Sequence, residues 1–337
     1  MRPPLLELKN VSKIFGGKNN PTVALEDMTF ALSENFPKIV TVAGESGSGK
    51  TTMGMLMLGF YGPTFGNVLY RGQALGDLDK AGMFQFRREV QAVFQDPFAV
   101  YNPFYKVDNL LSIPIKNFGL ASTAAESREL QEEALERVGL RPEETLGRYP
   151  HQLSGGQRQR IAVARALLLQ PKLLITDEPV SMVDASLRST ILKALRGLNR
   201  EFGVPIFYIT HDLTTAYHIS DYIIILYRGN VMEVGNVDTI IRDPKHPYTQ
   251  LLVSSIPWPD PDLPWGGSEE MIQSSQVAFK KITGCRFAPR CPYKMDICDT
   301  EPPPLYRMET DRAARCYLYR ENDELARDAL AEVFADA

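Results

Sequence analysis

Between the apolar, β-branched run Ile39-Val40-Thr41-Val42-Ala43 and an apolar segment starting at Lys50 stands the octet Gly44-Glu45-Ser46-Gly47-Ser48-Gly49-Lys50-Thr51. No other stretch constrains the fold as strongly. It fits G-x-x-x-x-G-K-[ST] at every fixed position, and that pattern works only with a strand before it and a helix after it. The glycines allow backbone N–H groups to converge on one point with no Cβ in the way. The following helix turns its positive end toward the same point. Gly44, Ser46, Gly47, Ser48, Gly49, Lys50, Thr51 and Thr52 are therefore the expected cradle of a polyphosphate, with Lys50 reaching the β- and γ-phosphates and Thr51 ligating Mg2+.

The flanking pattern fits an α/β fold. Leu5 to Val11 and Val23 to Leu32 alternate apolar and polar residues, as half-exposed antiparallel strands do. Helices are expected over 50–58, 156–169 and 185–201, and buried strands over 39–43, 172–176, 205–209 and 222–226. Strands alternating with helices imply a parallel sheet with crossover connections. The mostly helical stretch 96–160, interrupted at Pro114 and Gly119, reads as an inserted subdomain. The alternation stops after about residue 245. Pro257, Pro259, Pro261 and Pro264 mark an irregular linker, a cysteine-bearing module spans 284–317, and 321–337 reads as a helix of marginal stability.

With 337 residues the chain can build one large domain and one small one. A net charge of −4 argues against an extended nucleic-acid surface, which needs a basic stripe. No window approaches the ~18–20 apolar residues of a membrane helix, and Glu7 follows the start too closely for a secretory signal. The chain reads as cytosolic, so any membrane role must pass through partners.

Two more constellations carry chemistry. Leu173-Leu174-Ile175-Thr176 is an apolar strand that ends on Asp177-Glu178. Carboxylates at a buried strand tip are costly unless a cation is near, so Asp177 is the expected Mg2+ ligand and Glu178 the base or water-orienting group. Leu153-Ser154-Gly155-Gly156-Gln157 opens a helix, with Ser154 as N-cap and glycines freeing backbone donors. A second anion-binding helix end without a lysine of its own suggests a composite site shared by two subunits.

Together these three motifs resemble those of an ATP-binding-cassette ATPase, and the other elements of that family follow in order over residues 5–245. Phe94-Gln95-Asp96-Pro97 resembles the glutamine loop that senses Mg2+ and touches the membrane partner. Ser181-Met182-Val183-Asp184 resembles the loop that couples the two ATP sites, and Thr210-His211-Asp212 the switch-histidine loop. Phe15 stands where the family places a ring against adenine; the alternative is a core phenylalanine at a strand end. The chain departs from the family at Met182-Val183 and at Thr176, neither of which removes a functional group, and at Phe15, which lacks the tyrosine hydroxyl common there, although stacking needs only the ring face. The resemblance implies a RecA-like phosphate-loop core with an antiparallel β-subdomain and an inserted α-helical subdomain, together residues 1–245.

Residues 246–252, His246-Pro247-Tyr248-Thr249-Gln250-Leu251-Leu252, resemble the start of the C-terminal extension of oligopeptide/dipeptide importer ATPases, here residues 246–337. Cys285, Cys291, Cys298 and Cys316 strengthen the match. Their spacing, C-x5-C-x6-C-x17-C with no nearby histidine, does not suit a zinc ribbon. Four thiolates suit a [4Fe–4S] cluster, to which the resemblance also points; zinc and free or bridged thiols remain the alternatives. Set apart by its linker, this small Cys-rich extension is expected to be dispensable for ATP binding at Lys50.

The resemblance further implies partners: a second ATPase subunit, identical or homologous, two membrane-spanning permease subunits and, through them, an extracytoplasmic solute-binding protein. It places the chain at the cytoplasmic face of the membrane. Oligosaccharide or nickel import are alternative cargoes. A soluble cassette of DNA repair or translation is a rival, but only about 100 residues part Thr51 from Leu153, with no sustained heptads. Five large residues, Phe98, Val100, Tyr101, Phe104 and Tyr105, crowd the stretch after Gln95 and suit either a docking surface or internal packing.

Overall fold

A computed structural model describes residues 3–17, 20–96, 101–181, 183, 185–256, 283–326 and 329–334. Two compact units result, one made of Met1–Leu32, Val40–Ala74 and Ile209–Ala337, the other of Ser33–Ile39 and Leu75–Tyr208.

The first unit opens with β1 (Leu6–Phe15), β2 (Thr22–Leu32), β3 (Ile39–Ala43), α1 (Lys50–Met57), β4 (Phe65–Tyr70) and β5 (Gln73–Ala74). Strands β2-β1-β4-β5 form an antiparallel sheet in that order, with Leu6 opposite Leu32 and Tyr70. Strand β3 is buried along its whole length, as its unbroken apolar run requires.

The second unit holds α2 (Lys80–Glu89), β6 (Val90–Val93), α3 (Asp108–Asn117), α4 (Ala124–Arg137), α5 (Pro142–Thr145), α6 (Gly155–Leu167), β7 (Leu173–Asp177) and α7 (Ala185–Phe202). Strands β6 and β7 pair in parallel, Val90 with Leu173 and Val93 with Thr176. Strand β8 (Ile206–Thr210) neighbours β7 and runs across the division between the units. Pro114 lies inside α3, and that helix ends before Gly119, which has a φ of 61°.

The chain then returns to the first unit through α8 (Leu213–Ile219), β9 (Tyr222–Tyr227), β10 (Asn230–Asn236), α9 (Val237–Arg242) and α10 (Pro247–Ser254). Strand β9 pairs in parallel with β3, Val42 opposite Ile224, and antiparallel with β10. The expected loss of regular structure after residue 245 is only partial. The short strands β11 (Tyr306–Glu309) and β12 (Arg312–Ala314) extend this sheet, with β12 antiparallel to β10. The expected linker at Pro257 to Pro264 lies outside the described residues.

The terminal segment also differs from expectation. Glu324 bridges to Tyr306, and Ala329–Phe334 forms a 3-10 turn in place of the expected marginal helix. Phe334 decides this: it is buried with its ring edge-on to Phe30, 5.8 Å away, and to Tyr222, 5.1 Å away. A phenylalanine anchored in the core outweighs the helix propensity of the polar, alanine-rich residues around it. Among the described residues no helix is long and apolar enough to cross a membrane.

Candidate functional site

In the first unit, β3 delivers the chain into the glycine-rich loop and α1 takes it away. Gly49, at the N-cap of α1, has a φ of 105°, and a Cβ there would lie 2.2 Å from the Ala24 carbonyl oxygen. Only glycine fits both demands. Lys50 is 7% exposed, and its Nζ donates to the carbonyls of Gly44 at 2.8 Å and Glu45 at 2.9 Å. The ammonium therefore already sits on the loop that it is expected to serve. The Ser48 carbonyl accepts from Gly229 N–H at 2.8 Å, while its buried Oγ has no partner among the described residues. Ser46, Gly47 and Thr51 are exposed and Thr52 half-buried.

At the end of β1, Phe15 is 36% exposed, which does not suit a core phenylalanine. Its ring stands edge-on to Tyr61 at 5.5 Å, with Lys13 Nζ 5.1 Å from its centroid. Tyr61 was not legible as a neighbour, because it comes from the loop after α1. His211 follows β8 and is exposed, and the next residue, Asp212, caps α8 by accepting from Thr214 N–H at 2.8 Å.

In the second unit, Gln95 Nε2 donates to Glu178 Oε2 at 3.0 Å. The two residues nominated separately from sequence are thus in direct contact just beyond β7. Glu178 has a φ of 45°, a left-handed conformation that costs a non-glycine residue about 1–2 kcal/mol. Its carbonyl is fixed by the Ser181 N–H and Oγ, at 3.2 and 3.0 Å. Strained backbone held by local bonds is common at functional sites.

Ser154 and Gln157 form a reciprocal capping box at the start of α6. Gln157 N–H donates to Ser154 Oγ at 3.2 Å, and Ser154 N–H to Gln157 Oε1 at 2.9 Å. Ser154 is exposed while Gly155 and Gly156 are half-buried and buried. Gln159, fully buried one turn along, donates to the Phe94 carbonyl at 3.2 Å and so ties α6 to the Gln95 segment. Asp184 lies outside the described residues, as do Phe98 and Val100. Of the other three large residues, Phe104 and Tyr105 are exposed, and Tyr101 donates its hydroxyl to the Arg158 carbonyl.

The cysteine module belongs to the first unit, and it meets the glycine-rich loop. Phe287 is fully buried against Tyr227, Tyr248 and His246, with ring centroids at 5.5, 5.4 and 5.9 Å. Arg290 donates from both terminal nitrogens to Glu45, at 2.9 and 3.0 Å, and Arg286 Nε donates to Glu26 at 3.2 Å. Burial alone would raise the Glu26 carboxyl, but the Asn230 and Arg286 hydrogen bonds with the guanidinium charge hold it below its usual range. Tyr248, from the motif after residue 245, accepts from Glu45 N–H at 2.8 Å. Expected to be set apart from the core, the module thus touches the phosphate loop. Its proline-rich linker spaces it along the chain but not in space.

His246 is structural. Its Nδ1 accepts from Tyr248 N–H at 3.0 Å, and complete burial holds the ring neutral by lowering its pKa to about 3. All four cysteines are free. Cys285 N–H donates to the Cys298 carbonyl at 2.8 Å. Burial, with the neighbouring thiols adding to it, pushes Cys285, Cys291 and Cys316 up, the last to about 12. The thiols therefore share one field. Among the described residues, however, no group of three or more His, Cys, Asp or Glu side chains is disposed to hold a metal ion.

A strand, glycine-rich loop and helix in one unit, with a carboxylate-tipped strand and a Ser-capped, glycine-led helix in the other, are the motif set of a nucleotide-binding cassette. The family described as "ABC transporter" matches residues 25–181, and the one described as "Oligopeptide/dipeptide transporter, C-terminal region" matches residues 232–298. YkfD of Bacillus subtilis (strain 168) is 39% identical over 321 residues, covering 95% of this chain and 97% of that one. The "Oligopeptide transport ATP-binding protein OppF" of Haemophilus influenzae is 34% identical, covering 92% and 93%. The solved dimer of the ATP-binding cassette MJ0796 bound to ADP and Pi is similar in structure, with a TM-score of 0.62 and 31% identity over 69% of this chain and 98% of that one. The chain belongs to the ATP-binding-cassette transporter ATPases, in the branch that carries the oligopeptide/dipeptide C-terminal region, and is an ATPase of that class.

Proposed function

We propose that this chain energises uptake of oligopeptides or dipeptides through a membrane importer whose channel is made by other chains. The observation that carries the reading is the union, in one compact unit, of the phosphate loop with the oligopeptide-type C-terminal region, joined through Glu45. Phe15 stacks on adenine. The loop from Gly44 to Thr52 binds the phosphates through backbone N–H groups and Lys50. Thr51, Gln95 and Asp177 would hold Mg2+ through the oxygen ligands it takes, and the ion would supply charge neutralisation for the phosphates. Glu178 orients the attacking water, and its contact with Gln95 supports that role. His211 senses the γ-phosphate.

Ser154, Gly155, Gly156 and Gln157, with Asp184, serve the nucleotide held by a second ATPase subunit. Closure of the pair drives two permease subunits at the cytoplasmic face of the membrane, and a solute-binding protein delivers the cargo from the other side. The exposed Phe104 and Tyr105 form part of the surface that meets a permease. Cys285, Cys291, Cys298 and Cys316 would hold a [4Fe–4S] cluster, which would brace the module. The influence that Cys285, Cys291 and Cys298 exert on Cys316 sets the four thiols in one neighbourhood, which supports this reading.

Glu178→Gln tests the chemistry. The variant should bind ATP as wild type does and lose about 10² or more in turnover, accumulating a closed, ATP-bound dimer. Turnover within a few-fold of wild type would remove Glu178 from the reaction.

A further inference from the structure

Glu45 occupies the second position of the phosphate loop, which the motif leaves open to any residue, yet it is held from three sides. Its N–H donates to Tyr248 Oη, its carboxylate receives both terminal nitrogens of Arg290, and its carbonyl accepts from Lys50 Nζ and Ser48 N–H. The first two partners lie 203 and 245 positions away along the chain. Arg290 is itself fixed. Its guanidinium carbon lies 5.8 Å from the Tyr227 ring centroid and 5.6 Å from that of Phe287, and its side chain is 10% exposed. The Glu45 side chain, by contrast, is 39% exposed. A bidentate pair with one well-packed arginine is the geometry in which an ion pair orients its partner most firmly.

We propose that Arg290, assisted by Tyr248, is a positioning residue for the nucleotide reaction: it fixes the phosphate loop through Glu45 and cancels the negative charge that the loop carries there. The proposal rests on reading Gly44 to Thr51 as the phosphate cradle. Backbone donors must converge on one point to hold an anion, and Glu45 joins the end of β3 to that set of donors. A carboxylate without its guanidinium, placed in a loop that binds a polyanion, opposes the ligand directly. The cysteine module thereby acts on ATP without touching it.

The test is a double-mutant cycle on the full-length chain, read by binding of a fluorescent ATP analogue, with Lys50→Ala marking loss of the cradle. Arg290→Met should weaken binding about tenfold in the wild-type background and no more than about twofold in Glu45→Gln, where no carboxylate is left to compensate. Equal loss in both backgrounds, or an affinity within twofold of wild type for the single variant, overturns the proposal. If Lys50→Ala also binds as wild type does, the cradle reading itself has failed. In turnover assays Arg290→Met should raise KM for ATP with kcat within about threefold; a fall in kcat at constant KM overturns the positioning role. Should Arg290→Met not fold, Tyr248→Phe decides. It keeps the ring in place and removes the oxygen that accepts from Glu45, so KM should rise about threefold, and an unchanged KM overturns the proposal.

Discussion

The phosphate loop and the start of the cysteine module, residues 284–291, are both short segments of one compact unit, and they take their shape by opposite means. The loop is eight contiguous residues shaped by backbone: Gly49 at a φ of 105°, Ser48 N–H on the Glu45 carbonyl, Lys50 on the carbonyls of Gly44 and Glu45. The stretch 284–291 is positioned by side chains: Arg286 on Glu26, Arg290 on Glu45, and Phe287 buried among Tyr227, Tyr248 and His246. A backbone-built site accepts many side chains but not an added Cβ. A side-chain-built segment depends on particular pairs, each made with a distant residue.

A glycine in each region sharpens the contrast. In the loop, Gly49→Ala would place its Cβ 2.2 Å from the Ala24 carbonyl oxygen, and the residue would also have to keep a left-handed φ. ATP affinity should fall by at least about 100-fold. Binding retained within tenfold would mean that the loop does not depend on its backbone shape. In the module, Gly284→Ala would place a Cβ 2.1 Å from the Cys298 carbonyl oxygen. This change should part Cys285 from the short helical turn Ile297–Thr300, open 284–317 to proteolysis, and raise KM for ATP about fivefold by loosening Arg290. The iron of the proposed [4Fe–4S] cluster, about four atoms per chain, should fall with it in anaerobically purified protein. A loosened module with an unchanged KM would restore the picture of two independent regions.

The smallest effect is on stability. His246 has a folded pKa of about 3 against 6.5 when unfolded, so below pH 6.5 the unfolded chain binds a proton that the folded chain refuses. The contribution of this histidine is complete above about pH 6.5 and is lost as the pH falls toward 3, with a limiting slope of about 1.4 kcal/mol per pH unit. Thermal unfolding midpoints should therefore drop more steeply between pH 6.5 and 5 for wild type than for His246→Asn. Parallel curves would show that this packing around Phe287 does not depend on a neutral ring.

The same contrast explains which parts were legible in the sequence. β1, β2, β3, α1, β7, α7 and β9 all lie close to where periodicity places them, because each carries its own pattern of burial. β6 has only four residues and β12 only three, too few to show a period, and their pairing partners decide them. Arg312 in β12 is fully buried, although arginine ordinarily signals an exposed position; its terminal nitrogens find the Asp243 carbonyl and Glu309. In the candidate site, the Ser154 cap and the Gln95 and Glu178 pair could be nominated because their motifs are local. The grip of Arg290 and Tyr248 on Glu45 could not, since nothing in C-x5-C marks which arginine turns inward. Asp184 lies outside the described residues.

Phe334 has a consequence for the timing of folding. Phe30, in the second strand of the chain, completes its packing against a ring 304 positions later. At synthesis rates of about 5–20 residues per second, roughly 15–60 s pass between the emergence of the two. Through that interval β2 is already made while part of its apolar face waits for its cover. The unit that carries the phosphate loop thus closes late in translation, and a nascent chain must keep that surface from other partners until residue 334 arrives.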